Sequence, residues 1–124
     1  MIQIAITDDH TIVIEGIKTM LKSNKEMQVV QTFENLKDTY EHLDASVDVL
    51  LLDINLPDMD GFEVMRCLRE QPSTKSIPVV AVSANAMEQD LARGMAAGFA
   101  DYVTKPIDVG RLLRVVEELT AHKP

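Results

Sequence analysis

The feature that most constrains this chain is the short apolar run Val47–Asp53, which reads Val-Asp-Val-Leu-Leu-Leu-Asp. A strand that faces water on one side alternates apolar and polar residues, whereas a nearly continuous run is typical of a strand buried on both faces. Such strands belong to parallel sheets that carry helices on both sides. The run therefore favours an α/β fold.

Four further apolar runs lie along the chain, and segments with the period of an amphipathic helix separate them. The five runs, which we predict to be strands, are Ile2–Thr7, Met27–Phe33, Val47–Asp53, Val79–Ser83 and Tyr102–Thr104. Strict alternation of strands and helices with short links is typical of parallel strands joined by right-handed crossovers. We therefore predict one doubly wound domain over residues 1–124, with a five-stranded parallel sheet between two helical layers.

Residues that favour helix ends occur where this arrangement needs them. Asn35 and Asp108 are predicted N-caps. The pairs Asp60–Glu63 and Asn85–Glu88 have the spacing of a capping box. Gly98 is placed to end the fourth predicted helix in a left-handed turn.

Composition narrows the classes of protein to which the chain can belong. Apolar residues make up 46 % of the chain, and the single cysteine, Cys67, allows no internal disulfide, which fits a reducing cytoplasm. The formal net charge of −8 argues against nucleic-acid binding by this domain, because phosphate contacts need clustered basic residues. No apolar run approaches the roughly 18 residues that span a bilayer, and no signal peptide is evident. We therefore expect a cytoplasmic domain without a membrane partner.

The predicted strands end in polar residues of complementary chemistry. The first ends in Asp8-Asp9, the third in Asp53 and the fourth in Ser83, while Lys105 follows the fifth. In open α/β sheets, ligands bind beyond the carboxyl ends of the strands, where the strand order reverses. If the first and third strands are neighbours there, the three carboxylates converge.

Converging carboxylates need a compensating charge, since two ionised groups at about 4 Å repel by roughly 4 kcal/mol at an effective dielectric near 20. Ligands that are all oxygen favour Mg²⁺ or Mn²⁺ over zinc. With Lys105 as a further cation and Ser83 as a donor, Asp53 has what phosphoryl transfer to a carboxylate requires. We expect His10, which follows the acidic pair, to be a loop residue and not a ligand, because hard cations prefer oxygen.

In their order and spacing, these residues closely resemble the response-regulator receiver family of two-component signalling. Four stretches carry the resemblance, namely Asp8-Asp9, Leu51–Gly61, Pro78–Ala84 and Gly98–Pro106. The resemblance extends over essentially all 124 residues. It implies a flavodoxin-like fold with the strand order 2-1-3-4-5.

The resemblance implies a role for each acidic residue at the strand ends. Asp53 would be the phosphoacceptor. Asp9 and Asp53 would ligate Mg²⁺ directly, Asp8 would act through a metal-bound water, and the backbone carbonyl of Asn55 would complete the protein ligands. The implied cofactor is Mg²⁺, with Mn²⁺ as its substitute.

Residues of the fourth and fifth strands would hold the phosphoryl group. Ser83 and Lys105 would bind its oxygens, and the Lys105–Pro106 peptide bond would be cis. The side chains of Asn55 and Asn85 would tune hydrolysis of the acyl phosphate. The implied protein is a switch that catalyses its own phosphorylation and dephosphorylation, and not a conventional enzyme.

The resemblance also implies how such a switch communicates. Phosphorylation would draw Ser83 inward, and Tyr102 would rotate into the space behind it. The face formed by the fourth helix, fifth strand and fifth helix would then change, and this face is also the expected homodimer surface. The phosphodonor would be a sensor histidine kinase or a phosphotransfer domain that docks on Ile12 and Val13. Since one helix face cannot bury all of Ile12, Val13 and Ile14, at least one of them should be exposed.

Three other interpretations of these residues stay open at this point. A phosphohydrolase with an aspartyl-phosphate intermediate would carry Asp-x-Asp on the first strand, with the second Asp as the acid/base residue. Here the candidate nucleophile Asp53 ends the third strand, and the residue two positions later is Asn55, whose amide cannot act as a general acid. A flavin-binding module of the same topology would need a phosphate loop, which Asp8-Asp9 would repel. A receiver without phosphoryl chemistry would serve only as a protein-interaction domain, although this acidic site is intact.

The two halves of the chain resemble different receiver subfamilies. Asp8-Asp9-His10 together with Glu15–Lys18 resembles regulators that carry a helix-turn-helix DNA-binding domain. Val82–Asp90 and Ala97–Asp108 resemble the receivers of hybrid histidine kinases. Ordinary divergence, an excised domain and a chimera would each produce this difference.

Overall fold

A computed structural model describes residues 2–54, 56, 61–83 and 98–121. The strands in these residues are β1 (Ile2–Thr7), β2 (Met27–Phe33), β3 (Val49–Asp53), β4 (Val79–Ser83) and β5 (Asp101–Thr104). The helices are α1 (Thr11–Lys22), α2 (Leu36–His42), α3 (Gly61–Glu70) and a C-terminal helix (Val109–Thr120). The predicted fourth helix and the capping residues Asp60, Asn85 and Glu88 lie outside the described residues.

The described strands form one parallel sheet with the order β2-β1-β3-β4-β5, as predicted. Both β2 and β3 pair with β1, so the strand order reverses at β1. Thr7 of β1 pairs with Leu52 of β3, and Asp53 pairs with Val82 of β4. The carboxyl ends of β1, β3 and β4 therefore meet at one edge, where such sheets bind ligands.

Two predicted strand boundaries were wrong by one or two residues. The third strand was predicted to begin at Val47, but Val47 donates its N–H to Asp44 O in a turn. The ladder instead begins beside Asp48, whose side chain accepts the Gln3 N–H and whose own N–H donates to Gln3 O. The fifth strand begins one residue earlier than predicted, at Asp101.

The core consists of two apolar layers, one on each face of the sheet. Alternate residues of β3 enter opposite layers, with Leu50 and Leu52 on one side and Val49 and Leu51 on the other. Helices α2 and α3 cover the first layer, and α1 and the C-terminal helix cover the second. Each fully buried leucine contributes about 1.5–3 kcal/mol relative to an exposed one. The double burial explains why β3 needs an unbroken apolar run.

The predicted helix ends in the described residues are present. The Asn35 side chain accepts the Asp38 N–H at 2.8 Å, and the Asp108 side chain accepts the Gly110 N–H at 3.0 Å. Gly98 has a φ of 106°, the left-handed conformation that glycine adopts without strain. Among the described residues, no helix has the length and apolar character needed to cross a membrane.

Candidate functional site

Lys105 joins two buried aspartates at the carboxyl edge of the sheet. Its Nζ lies 2.9 Å from Asp8 Oδ2 and 3.1 Å from Asp53 Oδ2. Asp8 is 2 % and Asp53 3 % exposed, so their charges are shielded from most of the solvent. A buried carboxylate is unfavourable unless it is paired, and here two carboxylates share one ammonium group. Counted over Asp8, Asp53 and Lys105, the group therefore carries one net negative charge.

The electrostatics of this cluster affect the titration of Lys105. Burial by itself lowers the pKa of the Lys105 ammonium, but hydrogen bonds and Coulomb attraction from Asp8 and Asp53 outweigh it and raise the pKa above its ordinary value. The side chain is therefore a cation throughout the physiological range. It supplies the positive charge predicted at the end of the fifth strand.

Backbone pairing at the ends of β3, β4 and β5 places the reactive side chains. The Lys105 N–H donates to Ser83 O at 2.9 Å, which extends the β4–β5 ladder past Thr104. Ser83 itself is buried at the end of β4. The Lys105–Pro106 peptide bond is cis, as the family resemblance implied. Ser83 and Lys105 thus lie at the same edge as Asp53.

Close packing beneath Asp53 constrains the start of α3. The N–H of Ile54 donates to Val82 O at 3.1 Å, which continues the ladder one residue beyond Asp53. A Cβ atom at Gly61 would lie 2.9 Å from Ile54 Cβ, a distance that side chains do not tolerate. Glycine at position 61 therefore lets α3 begin directly against the segment that follows Asp53.

Asp9 and His10 complete the acidic cluster on its solvent side. His10 Nδ1 lies 2.8 Å from Asp9 Oδ1 and 3.3 Å from Asp8 Oδ1. One potential ligand atom from each of four residues lies within 4.8 Å of the other three, and these residues are Asp8, Asp9, His10 and Asp53. The predicted convergence of the three aspartates is present. His10 is a loop residue as expected, but its ring belongs to the cluster, which only its place beside Asp8-Asp9 could have indicated.

The donor set fits a hard divalent cation. Ions such as Mg²⁺ bind oxygen at about 2.0–2.1 Å, so ligands around one ion lie about 3 Å apart when adjacent and about 4 Å apart when opposite. Asp8, Asp9 and Asp53 each offer a carboxylate oxygen to a group of atoms that lie within 4.8 Å of one another, so a bound ion would need to draw them only slightly closer. Asn55, the predicted carbonyl ligand, and Asn85 and Ala84 beside the predicted phosphoryl site lie outside the described residues.

A buried pair of hydroxyl groups connects β1 to α2 directly behind the acidic cluster. Thr7 Oγ1 and Thr39 Oγ1 are 2.8 Å apart, and Thr39 Oγ1 donates to Asn35 O at 2.9 Å. Because Thr39 uses its one proton on Asn35, Thr7 is the donor between the two hydroxyls. This contact fixes the residue before Asp8. The sequence carried no signal for it, since the partners are 32 residues apart.

Tyr102, the predicted switch residue, is half-buried on β5. Tyr102 pairs with Ala81 of β4, which lies two residues before Ser83. Because alternate residues of a strand point to the same face, the side chains of Tyr102 and Ser83 lie on the same face of the sheet. The Arg111 guanidinium lies 5.6 Å from the centre of the Tyr102 ring. Arg111 also donates to Asp101 Oδ1 at 2.9 Å and to Tyr102 O at 3.2 Å. Arg111 of the C-terminal helix therefore contacts both the ring and the backbone carbonyl of Tyr102, a contact that the sequence did not indicate.

The first turn of α1 presents an apolar surface beside the site. Ile12 is 82 % exposed, Val13 is half-buried, and Ile14 is buried, so the prediction that at least one of the three is exposed is confirmed. An open groove of about 270 Å³ begins at Ile12. Its lining consists of Ile12, Val13, Gly16, Ile17, Met20, Lys105, Pro106 and Ile107. The groove therefore connects an exposed apolar helix face to the loop that carries Lys105.

Comparison with known proteins identifies the family. The profile of the family described as "Response regulator receiver domain" matches residues 4–117. The chain is 34 % identical over 116 residues to an uncharacterized 14.6 kDa protein of Leptolyngbya boryana, covering 93 % of this chain and 87 % of that one. The chain belongs to the response regulator receiver domains, which are the phosphoacceptor modules of two-component signalling.

One larger regulator is also similar in sequence, and one solved receiver structure shares the fold. The DNA-binding dual master transcriptional regulator RpaA of Synechocystis is 34 % identical over 122 residues, which are 96 % of this chain but 49 % of RpaA. The structure of the Francisella response regulator 1452 receiver domain superposes with a TM-score of 0.85 at 24 % identity, covering 100 % of both chains. At that identity the superposition shows the shared fold.

Proposed function

We propose that this domain is a phosphoacceptor switch in which Asp53 takes a phosphoryl group from a phosphohistidine of a sensor histidine kinase or a phosphotransfer domain. The observation that carries the proposal is the buried Asp53 carboxylate, which shares the Lys105 ammonium with Asp8 at the ligand-binding edge of the sheet. Asp8, Asp9, Asp53 and the Asn55 carbonyl would hold Mg²⁺, or Mn²⁺ in its place. The bound ion supplies charge neutralisation for the phosphoryl oxygens.

The chain's own residues perform the transfer. An Asp53 oxygen attacks phosphorus in line as the P–N bond of phosphohistidine breaks, and the bonding pair leaves with the imidazole nitrogen. Lys105 and Ser83 donate hydrogen bonds to the phosphoryl oxygens. In a separate hydrolysis step, water attacks phosphorus, inorganic phosphate forms and the Asp53 carboxylate leaves, at a rate tuned by the side chains of Asn55 and Asn85. Since the phosphoryl group ends on the protein itself, the domain is a switch and not a turnover enzyme.

The added phosphoryl charge would be read out through Tyr102. Ser83 moves toward the phosphoryl group, and Tyr102, which lies on the same sheet face, follows into the space behind it. This movement changes the face made by the predicted fourth helix, β5 and the C-terminal helix. We propose that face as the output surface and as the interface of a homodimer.

The exposed side of α1 is the proposed docking surface for the phosphodonor. Ile12 is exposed and Val13 is half-buried beside the groove that reaches Lys105. An apolar helix face so close to the acceptor would let a helical donor place its phosphohistidine at Asp53. Such a donor implies a cytoplasmic location, and the net charge of −8 implies that the domain does not itself bind nucleic acid.

Phosphorylation with a small phosphodonor tests the site. Acetyl phosphate with Mg²⁺ should add one phosphoryl group to the wild type, as read by intact mass, and chelation of Mg²⁺ should prevent it. Asp53→Asn should abolish the modification, whereas Asp101→Asn, which alters an aspartate on β5, should leave it unchanged. Modification that survives Asp53→Asn, or that proceeds equally without divalent ions, would overturn the proposal.

A separate experiment tests docking. Ile12→Ser should slow phosphorylation by a histidine kinase that acts on the wild type, while phosphorylation by acetyl phosphate continues, because the small donor needs no docked helix. Val30→Ser is the matched control, since Val30 is also an exposed β-branched residue but lies on the edge strand β2. Equal kinase rates for the wild type and both variants would exclude Ile12 from the docking surface.

A further inference from the structure

We propose that Thr39, which lies on α2 outside the acidic cluster, is a positioning residue for the Asp8 carboxylate and thereby raises the affinity of the site for Mg²⁺. It acts through Thr7, the last residue of β1, whose hydroxyl bonds to its own. The inference rests on the proposed function, because it concerns how the same site is held before a metal ion and a phosphoryl group arrive. It gives a part in that function to a residue that lies behind the site.

A chain of hydrogen bonds runs from the N-terminus of α2 to the end of β1. The Asn35 side chain caps α2 by accepting the Asp38 N–H at 2.8 Å, which fixes the first turn of the helix. Thr39 Oγ1 donates to the Asn35 carbonyl at 2.9 Å, and Thr7 Oγ1 lies 2.8 Å from Thr39 Oγ1 as its donor. Because each hydroxyl has one proton to donate, the direction of the chain is set, and it ties Thr7 to the capped end of the helix.

The backbone provides a second tie one residue further on. The Asp8 N–H donates to Phe33 O at 3.0 Å, and Phe33 ends β2 just before the cap of α2. The side chain of Thr7 and the N–H of Asp8 are therefore both anchored at the connection between β2 and α2. With both bonds formed, the peptide unit between Thr7 and Asp8 cannot rotate without breaking one of them.

The hydroxyl pair lies in surroundings that are otherwise apolar. Thr7 is 1 % and Thr39 0 % exposed. Ala5 and Leu36, which share a strand face and a helix face with them, belong to the first apolar layer. Two valines would fill the same space without the cost of desolvating two hydroxyl groups. Since a hydrogen bond is directional and apolar packing is not, the pair contributes position and not burial.

The Asp8 carboxylate depends on this position because both of its oxygens already have partners. Oδ1 accepts the His10 N–H at 2.9 Å, and Oδ2 accepts a hydrogen bond from Lys105 Nζ at 2.9 Å. A rotation of the Asp8 backbone would lengthen at least one of these bonds and move the carboxylate away from the other acidic groups. Groups that orient metal ligands from behind change metal affinity by about 10–100-fold when they are replaced. Thr39 acts through one further residue, so its effect should be smaller.

Thr74 offers a matched control at the opposite edge of the sheet. It is also buried, at 1 % exposure, and its Oγ1 donates to Leu68 O at 2.7 Å. It lies in the turn that precedes β4, beside the amino end of the strand whose carboxyl end carries Ser83. Thr74→Val therefore removes a comparable buried hydrogen bond without acting on Asp8.

The test is a Mg²⁺ titration of the full chain, followed by calorimetry. For Thr39→Val we expect Mg²⁺ affinity to fall about three- to tenfold, whereas Thr39→Ser, which keeps the hydroxyl, should stay within about twofold of the wild type. Thr7→Val breaks the same chain, so it should match Thr39→Val, and the double variant should lose no more affinity than either single variant. Thr74→Val should leave Mg²⁺ affinity unchanged.

Phosphorylation by acetyl phosphate gives a second readout. Because Thr39 acts on metal binding, Thr39→Val should raise the Mg²⁺ concentration that half-saturates the reaction, while the rate at saturating Mg²⁺ stays within about twofold of the wild type. Urea unfolding without metal checks that each variant is folded under the assay conditions. If Thr39→Val does not fold, Thr7→Val serves for the same comparison.

Three results would overturn the inference. Unchanged Mg²⁺ affinity in Thr39→Val and Thr7→Val would mean that the hydroxyl pair serves stability alone. An equal loss of affinity in Thr74→Val would mean that lower stability, and not a displaced Asp8, weakens the site. A loss in Thr39→Ser as large as in Thr39→Val would mean that the hydroxyl is not the group that acts. Failure of the proposed function is distinguished by the other assay, since it would show as phosphorylation that persists in Asp53→Asn.

Discussion

Two regions of the domain pair an acid with a base at the same distance but in different surroundings. Lys105 lies 2.9 Å from Asp8 at the carboxyl edge of the sheet, and Arg111 lies 2.9 Å from Asp101 on the surface of the C-terminal helix. The Asp8 side chain is 2 % exposed, whereas the Asp101 and Arg111 side chains are 24 % and 36 % exposed. Equal geometry therefore does not mean equal energetics, because water screens the second pair far more than the first.

The two regions also differ in their balance of charge. Arg111 meets one carboxylate, while Lys105 must serve both Asp8 and Asp53. The surface pair is neutral and stabilises weakly, whereas Asp8, Asp53 and Lys105 taken together carry one net negative charge. A buried excess charge is costly in a protein selected for stability alone. It is useful in a site that binds a divalent cation and then a phosphoryl group.

The largest expected effect comes from removing the base of the buried group. Lys105→Met leaves Asp8 and Asp53 facing each other, so the free energy of unfolding without metal should fall by about 2–3 kcal/mol. Added Mg²⁺ should restore part of this loss. Urea unfolding with and without Mg²⁺ measures both values, with Lys18→Met as the control, because Lys18 pairs with Glu15 on the exposed face of α1. Equal losses in the two variants would mean that burial does not distinguish the regions.

A smaller effect is expected at the hydroxyl pair behind the site. Thr39→Val leaves the buried Thr7 hydroxyl without its acceptor, which should cost about 1–2 kcal/mol in the free energy of unfolding. In the double variant Thr7→Val, Thr39→Val no hydroxyl is left unpaired, so the loss should be smaller than the sum of the two single losses. Denaturant unfolding of all four proteins measures this coupling. Strict additivity would show that the two hydroxyls do not interact.

At alkaline pH, the pH dependence of the free energy of unfolding should reveal the contribution of Lys105 in the buried group. The pKa of Lys105 is raised in the folded protein above its ordinary value of 10.5. The corresponding stability is therefore fully present below pH 10.5 and is lost as the pH rises through the higher folded-state pKa. Unfolding midpoints measured across this range should fall more steeply for the wild type than for Lys105→Met. Parallel curves would contradict the raised pKa.

The smallest effect is expected at the surface pair. Arg111→Gln removes the ion pair with Asp101 and the contact with the Tyr102 ring, and should lower the free energy of unfolding by about 0.5–1 kcal/mol. NMR signals of the Tyr102 ring should shift because the guanidinium no longer lies over it. Arg114→Gln, an exposed position on the same helix, should change neither quantity. A loss as large as that of Lys105→Met would remove the difference between the regions.

Local patterns predicted most of the fold and much of the site. The apolar run ending at Asp53 predicted a strand buried on both faces, and the polar side chains at the ends of β1, β3 and β5 predicted the meeting of Asp8, Asp53 and Lys105. These predictions succeeded because burial pattern and strand end are local properties, which parallel topology converts into proximity. The start of the third strand was missed because the Asp48 side chain takes part in the ladder.

Other parts of the site depend on partners that are distant along the chain. The Thr7–Thr39 hydroxyl pair and the Arg111–Tyr102 contact join separate elements, and neither has a spacing that a sequence pattern could reveal. The His10 ring adopts one of several rotamers available at a helix N-cap. Its direction toward Asp8 and Asp9 depends on where the whole of α1 packs.

The sequence by itself determined the class of fold and the set of reactive side chains, because the period of apolar residues and the chemistry of the strand ends are written in adjacent positions. Tertiary structure alone decided which charge is shielded, which hydroxyls pair and where the His10 ring points. These properties depend on the dielectric surroundings and on the packing of distant elements, which exist only after the chain has folded.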